Sequence, residues 1–97
     1  MHVISKKKLR EFWERYTRAK LPLESWYQVV RQAEWENFAA GREAFNTADS
    51  VGLFVVFEIG GNKYRLIAVI HHNRGKVFVR HVLTHAEYDE GTWKADK

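Results

Sequence analysis

Apolar side chains recur at helical spacing twice near the N-terminus and then give way to strand-like runs, and that switch organises the chain. Met1-His2-Val3-Ile4 is short and partly β-branched, which suits an edge strand. Ser5, a good N-cap type, precedes Leu9, Phe12, Trp13 and Tyr16, which form one apolar stripe of a first helix. Lys6, Lys7 and Lys8 crowd the start of that helix, where each exposed cation opposes the macrodipole at a cost of about 0.3–1 kcal/mol. Their placement hints at a use outside the helix; a solvated basic turn explains it equally simply. Pro22 fits the first turn of a second helix, in which Leu23, Trp26, Tyr27 and Val30 repeat the spacing. The short link between the two predicts an antiparallel pair whose aromatics face a common sheet as core.

From Ala33 to Gly52 the pattern weakens. Trp35, Phe38 and Phe45 stand as isolated anchors, so a long loop containing a helical turn is expected. Leu53 to Ile59 is a continuous β-branched and aromatic run, as in a strand covered on both faces. Gly60-Gly61-Asn62 tolerates positive φ and marks a hairpin turn, Lys63 to Ile70 reads as the second strand, and Lys76 to Leu83 reads as the third. Thr84-x-x-Glu87 is a capping-box pattern, with Leu83 and Tyr88 at the positions of a hydrophobic staple. The predicted class is α+β. Two N-terminal helices pack on a small antiparallel sheet, a three-strand meander joined by the N-terminal edge strand, and a short helix closes the chain.

Composition narrows this picture. The chain has 97 residues, 14% of them aromatic, and no cysteine. One domain over residues 1–97 is expected, with no disulfide or thiolate framework, as befits a reducing compartment. No apolar run approaches the roughly 18 residues of a membrane span, and no signal-peptide pattern opens the chain. A soluble, intracellular protein with no membrane partner is the expectation. The net charge of +4 is unevenly spread. Residues 6–20 carry seven basic and two acidic side chains, and residues 24–58 carry two basic and six acidic. Residues 60–85 carry five basic side chains (Lys63, Arg65, Arg74, Lys76, Arg80), four histidines and no carboxylate. An acid-free basic hairpin suits a polyanion, RNA before others; a merely solvated basic face remains the plain alternative. The acidic 33–52 segment suits a protein partner better than RNA.

Two stretches, Val56-Phe57-Glu58-Ile59-Gly60-Gly61-Asn62-Lys63-Tyr64-Arg65-Leu66-Ile67 and Val79-Arg80-His81-Val82-Leu83-Thr84-His85-Ala86-Glu87-Tyr88-Asp89, are specific when taken together and in this order. They resemble the HigB family of bacterial toxins, part of the RelE/ParE-like superfamily of type II toxin–antitoxin systems. The likeness extends to Met1–Ser5, Lys8–Trp13, Trp35 and Ala48–Gly52. It implies a RelE-like α+β toxin of the bacterial cytoplasm that cleaves mRNA, in related members on the translating ribosome. It also implies silencing by a helix-turn-helix antitoxin of the HigA type. Arg65 matches the strand position where RelE-like nucleases place a catalytic arginine, and Thr84–Asp89 matches the region that supplies tyrosine or histidine.

RNA cleavage by 2′-OH attack needs a base, an acid and cations for the developing phosphorane charge. Preorganised donors at that charge are worth about 3–4 kcal/mol apiece. Arg65, expected to face solvent, can grip two phosphate oxygens at once. Lys63, on the same strand face if the strand is regular, is a second phosphate contact or an exposed turn residue. Arg80 adds a third cation from the adjacent strand or serves a structural ion pair. His85 can exchange protons near neutral pH, a service worth about 10²–10⁴-fold, and Tyr88 can stack on a base, donate its phenolic proton or simply pack against Leu83. His81, alternating with Val79 and Leu83, reads as a core-edge residue. The His81-x-x-x-His85 interval resembles metal-ligand spacing, but with local carboxylates and cysteine missing no metal or cofactor is expected. Two other classes stay open on the residues alone: an inhibitor that binds a target such as gyrase without cutting RNA, and a basic module that only docks RNA.

Overall fold

The computed structural model describes residues 1–95. Strand β1 (His2–Ile4) leads into helix α1 (Lys6–Arg15), a 3₁₀ turn, helix α2 (Lys20–Gln32) and the short helix α3 (Phe38–Ala44). Strands β2 (Asp49–Val51), β3 (Phe54–Ile59), β4 (Tyr64–His71) and β5 (Lys76–Thr84) follow, and helix α4 (His85–Glu90) and a 3₁₀ turn end the described chain. The five strands form one sheet in the order β1-β5-β4-β3-β2. The meander β3-β4-β5 is as predicted. Two features differ from expectation: Asp49–Val51 adds a fifth strand to β3, and β1 joins β5 in parallel, so the sheet is mixed. The edge strand at Met1–Ile4 is as expected, but its direction is set by its partner, and the three residues of β2 carry too little pattern to be seen in a sequence.

The sheet is covered on both faces. Leu9 and Phe12 of α1 and Leu23, Trp26 and Val30 of α2 bury against Val55, Phe57, Ile59, Leu66, Ala68, Val77 and Val79 in the main core. The opposite face carries a smaller cluster of Val56, Ile67 and Trp93, bordered by Phe54, Leu83 and Tyr88 of β3, β5 and α4. Trp35, Phe45 and Phe57 meet as an aromatic knot, which clamps the 33–52 segment to the main core. That segment holds α3, capped by the Asn37 side chain on the Ala40 N–H, rather than only a loop with one helical turn.

Local chemistry fixes the junctions. Pro22 does fall in the first turn of α2. Ser5 stands at the N-cap of α1 but in a left-handed conformation, and its side chain caps nothing. The lysines beside it have structural uses, since Lys6 Nζ lies 4.4 Å from the Tyr27 ring centre and Lys8 Nζ donates to the Arg80 carbonyl at 3.0 Å. At α4 the capping box forms in full, with Thr84 N–H donating to Glu87 and Glu87 N–H donating to the Thr84 hydroxyl. Among the described residues no helix is long and apolar enough to cross a membrane.

One irregularity decides which side chains meet. Ile67 pairs with His81 but Ala68 pairs with Val79, so Arg80 is an extra residue in β5, a β-bulge. Alternation therefore reverses at Arg80: Val79 lies in the main core, whereas Leu83 borders the second cluster. His81 thus does not share a face with both, as unbroken alternation predicted.

Leu66 is fully buried on the central strand, so Leu66→Ala is expected to cost about 2–5 kcal/mol. Leu53→Ser, at a position 84% exposed, is expected to stay within about 0.5 kcal/mol of the parent. Urea unfolding of the two variants checks the contrast.

Candidate functional site

Tyr64 opens β4 and Arg65 follows it, so alternation places Leu66 on the helix-covered face and Arg65 on the face of α4. There Arg65 is 7% exposed, the one buried charged residue among those described. The expectation that it faces solvent is thereby corrected. Burying a cation costs several kcal/mol unless acceptors surround it, and the hairpin supplies them. Nη1 donates to the Asn62 carbonyl at 3.0 Å and to the Tyr64 carbonyl at 3.3 Å. Nη2 donates to the Asn62 side-chain oxygen. Glu58, directly across the β3–β4 ladder, adds a longer ion pair at 3.7 Å.

Tyr88 completes this environment. The Arg65 guanidinium carbon lies 5.2 Å from the Tyr88 ring centre, and the Trp93 ring stacks on Tyr88 at 5.2 Å and 15°. Tyr88 lines the groove with a cation and an indole already against its ring, so it is not a bare platform for a base. It and Leu83, the residues at the staple positions, both pack against the second cluster.

A groove of about 230 Å³ opens over Arg65, lined by Arg42, Thr47, Ala48, Asp49, Val56, Glu58 and Tyr88. One wall therefore comes from the acidic 33–52 segment, whose charge suits a protein partner better than RNA. The surface is not uniformly positive either, because Glu58 and Asp49 enter from outside the acid-free block. Glu58 was legible in principle: residues 58 and 65 are equidistant from the centre of the Gly60–Lys63 turn. Arg42 and Asp49 were not, because only the packing of α3 and β2 on the sheet brings them here.

The other predicted residues divide into two groups. His85 begins α4, and its N–H donates to the Lys63 carbonyl at 3.1 Å, which ties the helix to the hairpin turn beside Arg65. Its ring Nδ1 lies 2.9 Å from the Asp89 carboxylate, one helical turn on. In that contact Nδ1–H donates to Asp89, and Nε2 is the other ring nitrogen, on the far side of the imidazole. Lys63 is exposed and is the last residue of the turn, not part of β4, so strand alternation does not place it. Arg80 does not join the Arg65 groove. It lies at the bulge and lines two other grooves with Lys8, because the extra residue carries it away from the register that leads to Arg65.

Comparison with known proteins adds an independent finding. A family model described as HigB_toxin, the RelE-like toxic component of a toxin–antitoxin system, matches residues 19–91. The mRNA interferase HigB of Escherichia coli O6:H1 is 35% identical over 95 residues, covering 95% of this chain and 92% of that protein. The mRNA interferase HigB of Shigella flexneri is 28% identical over 92 residues, covering 92% of this chain and 88% of that protein.

Removing the Tyr88 ring empties the space between Arg65, Trp93 and Leu83, so Tyr88→Ala is expected to lose about 2–4 kcal/mol. Tyr88→Phe, which keeps the ring, is expected to unfold within about 1 kcal/mol of the parent. Thermal unfolding distinguishes the two.

Proposed function

This chain belongs to the HigB family of RelE-like toxins, and from that premise we propose how its groove performs the family's work. The protein is the toxin of a toxin–antitoxin pair and an endoribonuclease that cuts mRNA. In our reading the RNA backbone enters the groove over Arg65 and the 2′-oxygen attacks the adjacent phosphorus without help from a metal ion. A P–O bond forms at the 2′-oxygen and the bond to the 5′-oxygen breaks; one proton leaves the 2′-hydroxyl and one reaches the departing 5′-oxygen. Arg65 stabilises the charge that builds on the phosphorane. His85 Nε2, oriented through Nδ1 by Asp89, and the Tyr88 hydroxyl are the groups that move protons. Lys63, exposed at the rim, meets the flanking phosphate. Arg80, in a separate groove, serves RNA only at a distance from the reacting bond.

The observation that carries this reading is the unequal grip on Arg65. Asn62 and Tyr64 hold its terminal nitrogens by hydrogen bonds, while Glu58 at 3.7 Å is beyond hydrogen-bond length. A phosphate can replace the loose carboxylate without disturbing the firm acceptors. A buried, preorganised cation also loses little on reorganising during reaction. Restraint of such an enzyme requires the antitoxin, for which we infer the helix-turn-helix type; action on ribosome-bound mRNA in the cytoplasm is part of the same reading.

Induction of the wild type in bacteria followed by mapping of mRNA 5′ ends should reveal new in-frame cuts, and Arg65→Ala should abolish them. Arrest of growth with transcripts intact would instead favour a target-binding inhibitor, and the absence of arrest would favour an RNA-docking module. Glu58→Gln removes the carboxylate that competes with phosphate for Arg65. Cleavage is therefore expected to persist with KM lowered by about two- to tenfold, as steady-state assays of a reporter mRNA would show.

A further inference from the structure

Three consecutive residues of the β3–β4 turn adopt left-handed backbone: Gly60 at φ 64°, Gly61 at φ 62° and Asn62 at φ 80°. Glycine at the first two is what such a backbone asks for. Gly60 is further constrained, since a Cβ there would meet the Tyr64 ring at 3.3 Å. Position 62 has the same backbone requirement and yet carries a side chain. Asparagine is among the few side chains that tolerate this conformation, though less freely than glycine, so the turn admits it without requiring it.

The side chain has one visible use. With φ at 80°, the Asn62 carbonyl and its Oδ1 both point at the same guanidinium, the first accepting from Arg65 Nη1 and the second from Nη2. A single residue thereby engages both terminal nitrogens and fixes the guanidinium plane, which one acceptor alone would leave to rotate. The remaining neighbours do not do this: Tyr64 accepts only at Nη1, Glu58 stands off at 3.7 Å and Tyr88 offers a ring face.

We propose that Asn62 is a positioning residue for the cleavage reaction, its two oxygens aiming the Arg65 guanidinium at the scissile phosphate. The proposal rests on the reading of Arg65 as the charge-stabilising cation of this site. Asn62 does not touch RNA. It acts by keeping the N–H groups turned back to the hairpin satisfied, so that the rest of the guanidinium is held toward the groove before substrate arrives. A misplacement of about 1 Å at such a group costs on the order of 10²-fold in rate.

Two substitutions separate this role from a plain turn role. Asn62→Gly keeps the left-handed backbone and the carbonyl but deletes the side-chain acceptor. Asn62→Asp keeps an oxygen in the same place. Each full-length variant would be assayed for cleavage of one reporter mRNA in a reconstituted translation mixture, for thermal unfolding, and by NMR for exchange of the Arg65 Nη protons. For Asn62→Gly the expected result is a protein that melts near the parent temperature, with kcat lowered about 10- to 100-fold, KM within about twofold, and Arg65 protons exchanging fast. Asn62→Asp is expected to stay within about fivefold of the parent in kcat and to keep those protons protected. Parental kcat in Asn62→Gly, or equal damage in both variants, overturns the proposal. A reporter left uncut by the wild type would sink the nuclease reading instead, and the NMR comparison would still decide whether Asn62 holds the guanidinium.

Discussion

An arginine that is only 7% exposed needs acceptors for its charge, and that requirement shapes the functional end of this molecule. The acceptors are backbone and side-chain oxygens of the β3–β4 turn, so the turn has to curl back over its own strand. It does so through three left-handed residues, which explains why two glycines and an asparagine stand there. The same strand is held from both sides. Leu66 presses into the helix-covered core, and Ile67 presses into the cluster under Trp93. Arg65 is therefore carried by a rigid element, with its guanidinium held by the turn next to it, which is the condition for stabilising charge without reorganisation.

The second consequence is a division of the positive charge. A continuous basic hairpin would spread phosphate contacts along one face. The bulge at Arg80 prevents that by shifting β5 out of alternation, so that Arg80 and Lys8 line grooves of their own. Carboxylates then enter where the sequence block had none: Glu58 across the ladder, Asp49 from β2 and Asp89 from α4. Two of the three meet a cation or imidazole: Glu58 lies 3.7 Å from Arg65, and Asp89 lies 2.9 Å from the ring of His85. In the proposed reading such a mixed site selects the position of one phosphate, whereas a uniformly basic one would bind any stretch of RNA.

The residues show why part of this was readable in advance. The stripes Leu9-Phe12-Trp13-Tyr16 and Leu23-Trp26-Tyr27-Val30, the run from Leu53 to Ile59 and the Thr84–Glu87 box are local patterns that became helices, a strand and a capped helix. Tyr16 falls just past the end of α1, and Leu53 falls in the turn before β3. The motif residues Arg65, His85 and Tyr88 did arrive at one end of the sheet, because hairpin pairing and a helix start are themselves short-range events. Ser5 failed as a cap because its backbone turned left-handed to connect β1 with α1, a demand of sheet pairing that no local preference expresses.

What the sequence determined by itself was the α+β class, the meander, the capped C-terminal helix and the family, since periodicity, turn chemistry and a pair of motifs are all written along the chain. Only the tertiary structure decided that Arg65 is buried, that Arg42 and Asp49 share its groove, that Arg80 does not, and that β1 runs parallel to β5. The reason is one of range. Helix stripes and turns follow from residues a few positions apart, whereas exposure, register past a bulge and the walls of a groove depend on which distant segments come to lie against each other.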